Sequence, residues 1–330
     1  MLINLYRKIV FKAYDMYAPI RERKSRKIMA LKKKLGFNRI YEQNLISIEE
    51  LQSSLESSGL KSNDTVFIRA SLSAAQSIKG GVPAFLDGLK SYFSEGTIMM
   101  SSYTFDKSPI MYLATNPLFD PKTSLDRLNL VSEFFRRSPD VKRSIHPTHS
   151  VVVWGKDAHW FVKDHHKSSF CYDINSPFAK LYLRNAKELS FGVFPTSLSY
   201  HFIEQFVSQG YPTYRDFDTP VMCRVVVDGN EEILPFKVTD AFRAIHDRGD
   251  MIVGTDAEPQ KHEISSHLDY YIFDLAPQLE ALKEIIRNCG SYHYITNHFL
   301  DFVLKYIVEP LVLTAYYNKK NGKYYPVKEA

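Results

Sequence analysis

The side chains best suited to acid–base chemistry are concentrated in residues 143–150, the run RSIHPTHS. A histidine ring can take up a proton near neutral pH, and Pro147 fixes the backbone beside His146 so that the ring is presented in one orientation. The run precedes an apolar, strand-like segment, which predicts a loop that leads into a strand. His146 is therefore a candidate general base, and the alternative of ordinary hydrogen-bonded loop histidines stays open at this point.

A metal site is the other chemistry that two nearby histidines could serve. His146 and His149 have HxxH spacing, but the run lacks the glutamate of the HExxH pattern. Pro147 also opposes the helix on which that spacing would bring both rings to one ion. The sequence therefore predicts no metal site here.

A histidine and a glutamate three residues apart, His201 and Glu204, form a second candidate. On the helix predicted over 197–208 they share a face, although such pairs are also common on protein surfaces. A carboxylate brought close to His146 would hold the proton of one ring nitrogen and leave the other nitrogen free as a base. His146 and Glu204 are thus a candidate catalytic pair.

Small residues after a predicted strand form the third candidate. The strand over 65–69 is followed by Ser71 and other small side chains, and Gly80 and Gly81 precede a predicted helix. Backbone amides at such a turn can hold a phosphate or a thioester carbonyl, and small side chains admit a thin ligand. Turn geometry alone is the competing explanation for the glycine pair.

The elements that must position these residues alternate between helix-like and strand-like segments from about residue 46, which indicates an α/β layer architecture. The run SIEE from Ser47 is a capping box that opens a helix, and Asp228 with Gly229 predicts a hairpin turn. The predicted strands cover residues 65–69, 97–102, 151–154, 187–193 and 224–227, and the predicted helices cover 47–58, 82–93, 197–208, 275–288 and 294–308. The expected fold is a central mixed β-sheet flanked by helices.

The composition permits a full hydrophobic core. The 330 residues are 45% apolar and 14% aromatic, which fits one large domain or two modest ones and excludes global disorder. Charges interrupt the apolar stretch over 299–313, so no membrane-spanning helix is expected, and the first residues lack the order of a secretory signal. Cys171, Cys223 and Cys289 are scattered and form no CxxC pair. We expect a protein on the cytoplasmic side, with neither a disulfide framework nor a structural zinc site.

The net charge of +5 is unevenly distributed along the chain. Residues 1–40 contain twelve Lys or Arg against two acidic residues, a net charge of +10, and the remaining 290 residues carry −5. An apolar stripe through residues 2–17 predicts an amphipathic helix. Three interpretations stay open, namely docking on the body of the protein, docking on a second subunit as a homodimer, and contact with an anionic membrane surface. Residues 1–45 are predicted to be a basic extension to a domain over 46–330, and no nucleic-acid-reading motif accompanies the charge.

Taken in order, the motifs of the domain resemble the aminoglycoside 3-N-acetyltransferase family. The family pattern has SSL then GG, a PT[FY]T-like strand end, SxHPxxS, GSP, LLLG and HxxE. This chain has RASLSAA then GG, MSSYTFD, FDP, RSIHPTHS, NSPF, LSFGV, HFIE and YPTYRDF, over roughly residues 46–240. Arg69, Ala70 and Ser71 stand where many members have His-Ser-Ser, and Asn175 replaces the glycine before Ser-Pro. HPxxS followed by HxxE is the most specific part of the resemblance.

The resemblance implies an α/β domain that moves an acyl group from acyl-CoA directly to an amine, without a covalent enzyme intermediate and without a metal. It implies that His146 is the general base and that Glu204 is the carboxylate that orients it. The implied acyl-CoA site is Arg69, Ala70, Ser71, Leu72, Gly80, Gly81 and Ser102, and the implied acceptor site is Tyr103, Thr104, Asp106, His149 and His201.

The acceptor is expected to be an amino sugar. The basic extension favours a nucleotide-linked, dTDP-type amino-deoxysugar used for surface polysaccharide synthesis at the inner face of a membrane. The alternative acceptor is an aminoglycoside antibiotic, with resistance as the result. A second alternative is a catalytically silent scaffold at the membrane, against which the presence of both His146 and Glu204 argues.

Overall fold

The computed structural model describes residues 45–105, 109–113, 115–168, 171–193, 197, 202, 215–216, 220–237, 239–240, 245–247, 255, 258–289 and 293–295. All described strands and helices lie in the unit Ser47–Ala330. The N-terminal helix of the sequence analysis lies outside the described residues, as do three predicted site residues, Asp106, His201 and Glu204.

Strands and helices alternate through most of this unit. The described strands are, in chain order, β1 (Thr65–Ala70), β2 (Thr97–Tyr103), β3 (Leu118–Phe119), β4 (Lys142–Arg143), β5 (His149–Gly155), β6 (Lys187–Phe191), β7 (Arg215–Asp216), β8 (Val221–Val227), β9 (Asn230–Phe236), β10 (Thr239–Asp240), β11 (Ile245–Asp247), β12 (Gln260–Ser265), β13 (Leu268–Asp274) and β14 (His293–Ile295). The described helices are α1 (Ile48–Ser57), α2 (Leu72–Gln76), α3 (Gly81–Tyr92), α4 (Pro109–Leu113), α5 (Leu130–Arg137), α6 (Ala158–Val162), α7 (Pro177–Leu183) and α8 (Leu275–Cys289), with a 3₁₀ turn at His165–Lys167.

The main sheet has seven strands in the order β12-β13-β6-β1-β2-β5-β4. Strands β6, β1 and β2 run parallel, and the strands outside this trio pair antiparallel with their neighbours. The other described strands form a three-stranded sheet, β3-β8-β9, and two pairs, β10-β7 and β11-β14. The predicted central mixed sheet flanked by helices is confirmed.

Helices cover both faces of the main sheet because its central strands are apolar on both sides. All seven residues of β2 are buried. On one face Phe67 of β1 packs edge-to-face on Phe178 of α7, with ring centroids 5.9 Å apart. On the other face Phe85 of α3 packs on Phe191 of β6 at 5.4 Å. Burying each such ring contributes about 2–3 kcal/mol to the stability of the fold. The packed sheet therefore holds the polar residues at its edge in fixed positions.

Local signals in the sequence are confirmed at two places. Ser47 and Glu50 form the capping box of α1, with Glu50 N donating to Ser47 Oγ at 3.1 Å and Ser47 N donating to Glu50 Oε2 at 2.7 Å. Asp228 and Gly229 have φ angles of 50° and 86° and turn β8 into β9, as predicted for the hairpin.

Two expectations are corrected by the structure. A helix was predicted over 294–308, but residues 294 and 295 lie in strand β14, which pairs with β11. Gly80 and Gly81 follow helix α2 and not a strand, because Ser71 caps α2 immediately after β1. The glycine pair therefore joins two helices.

Among the helices that the structure describes, none is long and apolar enough to cross a membrane.

Candidate active site

Most of the predicted site residues that the structure describes lie near one edge of the main sheet, where its central strands end. Strands β6, β1 and β2 end at this edge, and antiparallel β5 begins there, since Tyr103 pairs with His149. The chain leaves β1 over one face through α2 and α3, and it reaches β6 over the other face through α6 and α7. Ligands bind outside the carboxyl ends of strands where connections diverge in this way. The crevice between the ends of β1 and β6 is therefore the candidate active site.

Ser71 lies at this crevice as the cap of α2. Its Oγ accepts the N–H of Ala74 at 3.1 Å, and its own N–H donates to the carbonyl of Phe191 at 3.0 Å. Gly192 follows β6 with a φ of 58°, and a Cβ atom there would lie 2.7 Å from Ser71 Oγ. The two strand ends thus approach each other closely only because Gly192 has no side chain.

Four other residues predicted to bind the acyl donor lie before α2, at its start or after it. Ala70 is buried as the last residue of β1, and Leu72 begins α2 directly after Ser71. Gly80 and Gly81 are separated from Ser71 by the whole of α2, and Gly80 has a φ of 96°. Ser71 and Leu72 therefore lie at the crevice, whereas the glycine pair lies at the far end of α2.

An ion pair in the sheet holds Arg69, the first of the predicted donor residues. Arg69 Nη1 lies 3.4 Å from Glu188 Oε1 on the neighbouring strand β6, and Glu188 is completely buried. Ser197 Oγ donates to the other carboxylate oxygen at 2.7 Å. The sequence analysis did not identify Glu188, although an acidic residue within a predicted buried strand is a signal of a buried polar partner.

Tyr103 and His149 form the aromatic part of the site. The Tyr103 hydroxyl lies 3.1 Å from the Tyr172 hydroxyl, and the Tyr103 ring meets the His149 ring edge-to-face at 4.7 Å. Phe105 stacks on Tyr103 at 5.5 Å and also contacts His149. Burial raises the pKa of Tyr103 far above 10.0, so its hydroxyl stays protonated and can donate a hydrogen bond.

Ser102 and Thr104, which flank Tyr103, face the interior of the protein. Ser102 is completely buried, and its carbonyl accepts a hydrogen bond from Arg143 Nη2 at 3.0 Å. Thr104 is also buried, and its hydroxyl donates to the carbonyl of Pro147. Both residues tie the end of β2 to the segment between β4 and β5.

His146 is fixed in one tautomer by the main chain. Its Nδ1 accepts the N–H groups of His149 at 3.0 Å and Thr148 at 3.3 Å, so in the neutral ring the proton is on Nε2. His146 is 1% exposed, and Nε2 has no hydrogen-bond partner among the residues that the structure describes. Burial lowers its pKa well below 6.5. A nitrogen that carries a proton cannot accept one, and Nδ1 is already occupied, so these bonds oppose the prediction that His146 is the general base.

His165, which the sequence analysis did not identify, lies against His146. The two ring centroids are 4.9 Å apart with an interplanar angle of 30°, and both rings are buried. Burial lowers the pKa of His165 to about 3. Eighteen residues, including β5 and α6, separate the pair in the chain, so no spacing rule could have predicted the contact.

These two buried neutral rings predict that the protein loses stability in mild acid. In the unfolded chain both rings have a pKa of about 6.5, whereas in the folded protein both pKa values are lower. Below about pH 6.5 the unfolded chain therefore binds more protons, and each ring lowers the free energy of unfolding by about 1.4 kcal/mol per pH unit until its folded pKa is reached. Urea titrations between about pH 7.5 and 5.5 should show this decline.

Two matched variants, His165→Asn and His267→Asn, test the cause of this pH dependence of the unfolding free energy. His165→Asn is expected to reduce the slope of stability against pH by about half, because one of the two buried rings is removed. His267→Asn replaces an exposed histidine and is the control for the substitution itself. An unfolding free energy that stays constant over this pH range would contradict two neutral buried rings.

Comparison with known proteins agrees with the motifs. The profile of the family described as aminoglycoside 3-N-acetyltransferase matches residues 67–258. The SPbeta prophage-derived aminoglycoside N(3')-acetyltransferase-like protein YokD of Bacillus subtilis is 29% identical over 174 residues, which are 47% of this chain and 64% of that protein. The chain spans less than two thirds of the length of the curated relatives it matches.

Two solved structures illustrate the shared fold. Sisomicin-bound AAC-VIa superposes with a TM-score of 0.62 and 21% identity, over 74% of this chain and 98% of that one. The binary complex of AAC-IIIb with CoASH superposes with a TM-score of 0.59 and 19% identity, over 74% and 97% of the two chains. At such identities the likeness shows the fold, and the activity must be argued from the site.

Proposed function

This chain belongs to the aminoglycoside 3-N-acetyltransferase family, whose profile matches residues 67–258, and on this premise we propose that it is an acyl-CoA-dependent N-acyltransferase. The family predicted from the motifs is thereby confirmed. The observation that carries the proposal is the profile match, which spans both strands of the crevice, β1 from Phe67 onward and all of β6. The complex of AAC-IIIb with CoASH supports acyl-CoA as the donor.

The donor is proposed to enter between the ends of β1 and β6. Pantetheine is a thin, flexible chain, and the close approach of Ser71 and Gly192 leaves small atoms at the base of the crevice. The part of the chain that the structure describes contains no cluster of three or more His, Cys, Asp or Glu that could hold a metal ion.

Gly192→Ala tests the donor site. The new Cβ would press on Ser71 Oγ, so the KM for acyl-CoA is expected to rise about tenfold while kcat changes less. Gly229→Ala is the matched control, because Gly229 also has a positive φ but a Cβ there would meet nothing within 4 Å. Steady-state kinetics that give both variants the same KM for acyl-CoA would place the donor elsewhere.

The general base is proposed to be His201, held by Glu204, rather than His146. Attack on a thioester requires a neutral amine, and a positioned base typically contributes about 10²- to 10⁴-fold to such a step. The two main-chain N–H groups that His146 Nδ1 accepts argue against that role for His146. His201 is the other histidine of the joint motif, and on the predicted helix a glutamate three residues later can hold the proton of one ring nitrogen.

The acceptor is proposed to be an aminoglycoside-type amine. The family description and the sisomicin complex of AAC-VIa support this alternative better than a nucleotide-linked sugar, which no similar protein supports. The test is thiol release from acetyl-CoA with kanamycin-type amines and, separately, with dTDP-amino sugars. We expect release of the CoA thiol with the kanamycin-type amines and none with the dTDP-amino sugars. Release with dTDP-amino sugars alone would restore the nucleotide-sugar prediction, and release with neither would favour a silent scaffold.

A further inference from the structure

The segment that joins β4 to β5, residues 144–148, is held by buried side chains and not by regular structure. Ser144, His146 and Thr148 are each no more than 1% exposed. Thr148 and the first residue of β5, His149, present their N–H groups to Nδ1 of His146. The position of the His146 ring therefore sets where Thr148 and His149 lie.

The donors and acceptors in the hydrogen bonds of Ser144 and His165 can be assigned by counting the protons that each group carries. Ser144 Oγ accepts the N–H of Val151 at 2.9 Å, and it lies 2.8 Å from His165 Nδ1. A backbone N–H can only donate, so the single hydroxyl proton of Ser144 is free to go to His165 Nδ1. His165 then carries its proton on Nε2, which faces the carbonyl of Cys171 at 3.4 Å.

This order of donors and acceptors anchors the His165 ring at both nitrogens. The anchored ring lies 4.9 Å from the His146 ring, and Phe236 meets His146 edge-to-face at 5.1 Å. The His146 ring is thereby packed between two rings while its Nδ1 is bonded to the main chain of β5. A shift of His165 would therefore move His146 and, with it, the backbone at His149.

His149 is the point at which this chain of contacts reaches the candidate active site. Its Nδ1 lies 2.9 Å from Thr148 Oγ1, and its ring contacts Tyr103 and Tyr172 at the sheet edge. We propose that Ser144 and His165 are positioning residues that act through His146 to fix Thr148 and His149, and with them the Tyr103 side of the predicted acceptor site. This inference rests on the proposed N-acyltransferase function.

The kinetic test compares two serine-to-alanine changes in the same buried region. Ser144→Ala removes the proton donor to His165, and it is expected to lower kcat/KM for the amine about tenfold while the KM for acyl-CoA stays within about twofold. Ser168→Ala is the matched control, because Ser168 is 2% exposed and its hydroxyl has no hydrogen-bond partner within the described residues. Its kinetic constants should stay within about twofold of the wild type.

A pair of substitutions at His165 separates hydrogen bonding from packing. Asparagine places Oδ1 where the ring has Nδ1 and can still accept from Ser144, whereas leucine has a similar size and no acceptor. His165→Asn is expected to keep several times more of kcat/KM for the amine than His165→Leu, with both assayed below their melting temperatures. Equal activities in the two variants, or a Ser144→Ala variant with the kinetics of Ser168→Ala, would overturn the proposal.

Hydrogen exchange at the His149 amide gives a readout that does not depend on turnover. That N–H donates to His146 Nδ1, so Ser144→Ala should accelerate its exchange at least about tenfold, and Ser168→Ala should not. If the wild-type protein has no acyltransferase activity, the proposed function is refuted. The hydrogen-exchange measurement would still test the contacts between Ser144 and His149. If the His149 amide exchanges at the wild-type rate in Ser144→Ala, the proposed series of contacts from Ser144 through His165 and His146 to His149 is refuted.

Discussion

Replacing His201 with glutamine is expected to lower kcat for acyl transfer to an amine by about 10²- to 10⁴-fold. Glutamine can keep a polar atom near the place of the ring nitrogen, but it cannot take up a proton near neutral pH. The KM for acyl-CoA should change little, because the donor is proposed to lie between the ends of β1 and β6. Steady-state turnover with acetyl-CoA and a kanamycin-type amine measures the effect.

His146→Asn is the control for that experiment. Asparagine Oδ1 can occupy the place of Nδ1 and accept the N–H groups of Thr148 and His149, while the titratable ring is lost. If His146 only holds the main chain, this variant should retain more than about a tenth of wild-type turnover. The reverse result, a large loss in His146→Asn with an active His201→Gln, would restore His146 as the base.

Replacing Arg143 with methionine is expected to lower the free energy of unfolding by about 3–5 kcal/mol. The guanidinium is 9% exposed and donates to Ser150 Oγ at 2.9 Å, to Ser102 O at 3.0 Å and to Ser124 O. It also lies over the Phe119 ring, 5.1 Å from its centroid. Burial lowers its pKa to about 10, so it stays charged at neutral pH. Methionine fills similar space but removes all three of these hydrogen bonds, and Ser102 O then keeps only the Ser150 hydroxyl as a donor.

The matched control for Arg143→Met is Arg137→Met, measured by urea unfolding. The Arg137 side chain is 63% exposed, and Glu133 keeps its partner Arg136 when Arg137 is lost. This control should therefore lose no more than about 1 kcal/mol. If the two variants lose similar amounts of unfolding free energy, the buried hydrogen bonds of Arg143 stabilise the protein no more than the contacts of a surface arginine do.

Much of the fold could be predicted because its signals are local. The capping box at Ser47 and the Asp-Gly turn after β8 each specify geometry within a few residues, and both are confirmed. Apolar runs located β1, β2, β5 and β6 to within two residues at each end. The short helix α2 was missed because five residues carry too little periodicity to identify it. Strand β14 was missed because its three residues pair with a strand far away in the sequence.

The site was predicted less completely because its decisive contacts are made across the fold. The spacing of HPTHS drew attention to His146, but spacing does not reveal which nitrogen bears the proton. That required the backbone of β5, which folds back so that two N–H groups reach Nδ1. Glu188 lies in β6 and His165 lies in a 3₁₀ turn, and no motif in the sequence connects either residue to His146. The sequence could indicate the type of chemistry, and tertiary structure was needed to assign roles.

The central claim is that this chain transfers an acyl group from acyl-CoA to an amine. The most direct measurement is mass spectrometry of the full-length protein's reaction with acetyl-CoA and a kanamycin-type aminoglycoside, with free thiol counted in the same sample. We expect an aminoglycoside that has gained one acetyl group, formed in equal amount to the free CoA and strongly reduced with His201→Gln. Free CoA without acetylated amine, or no reaction with any amino-sugar acceptor, would contradict the account.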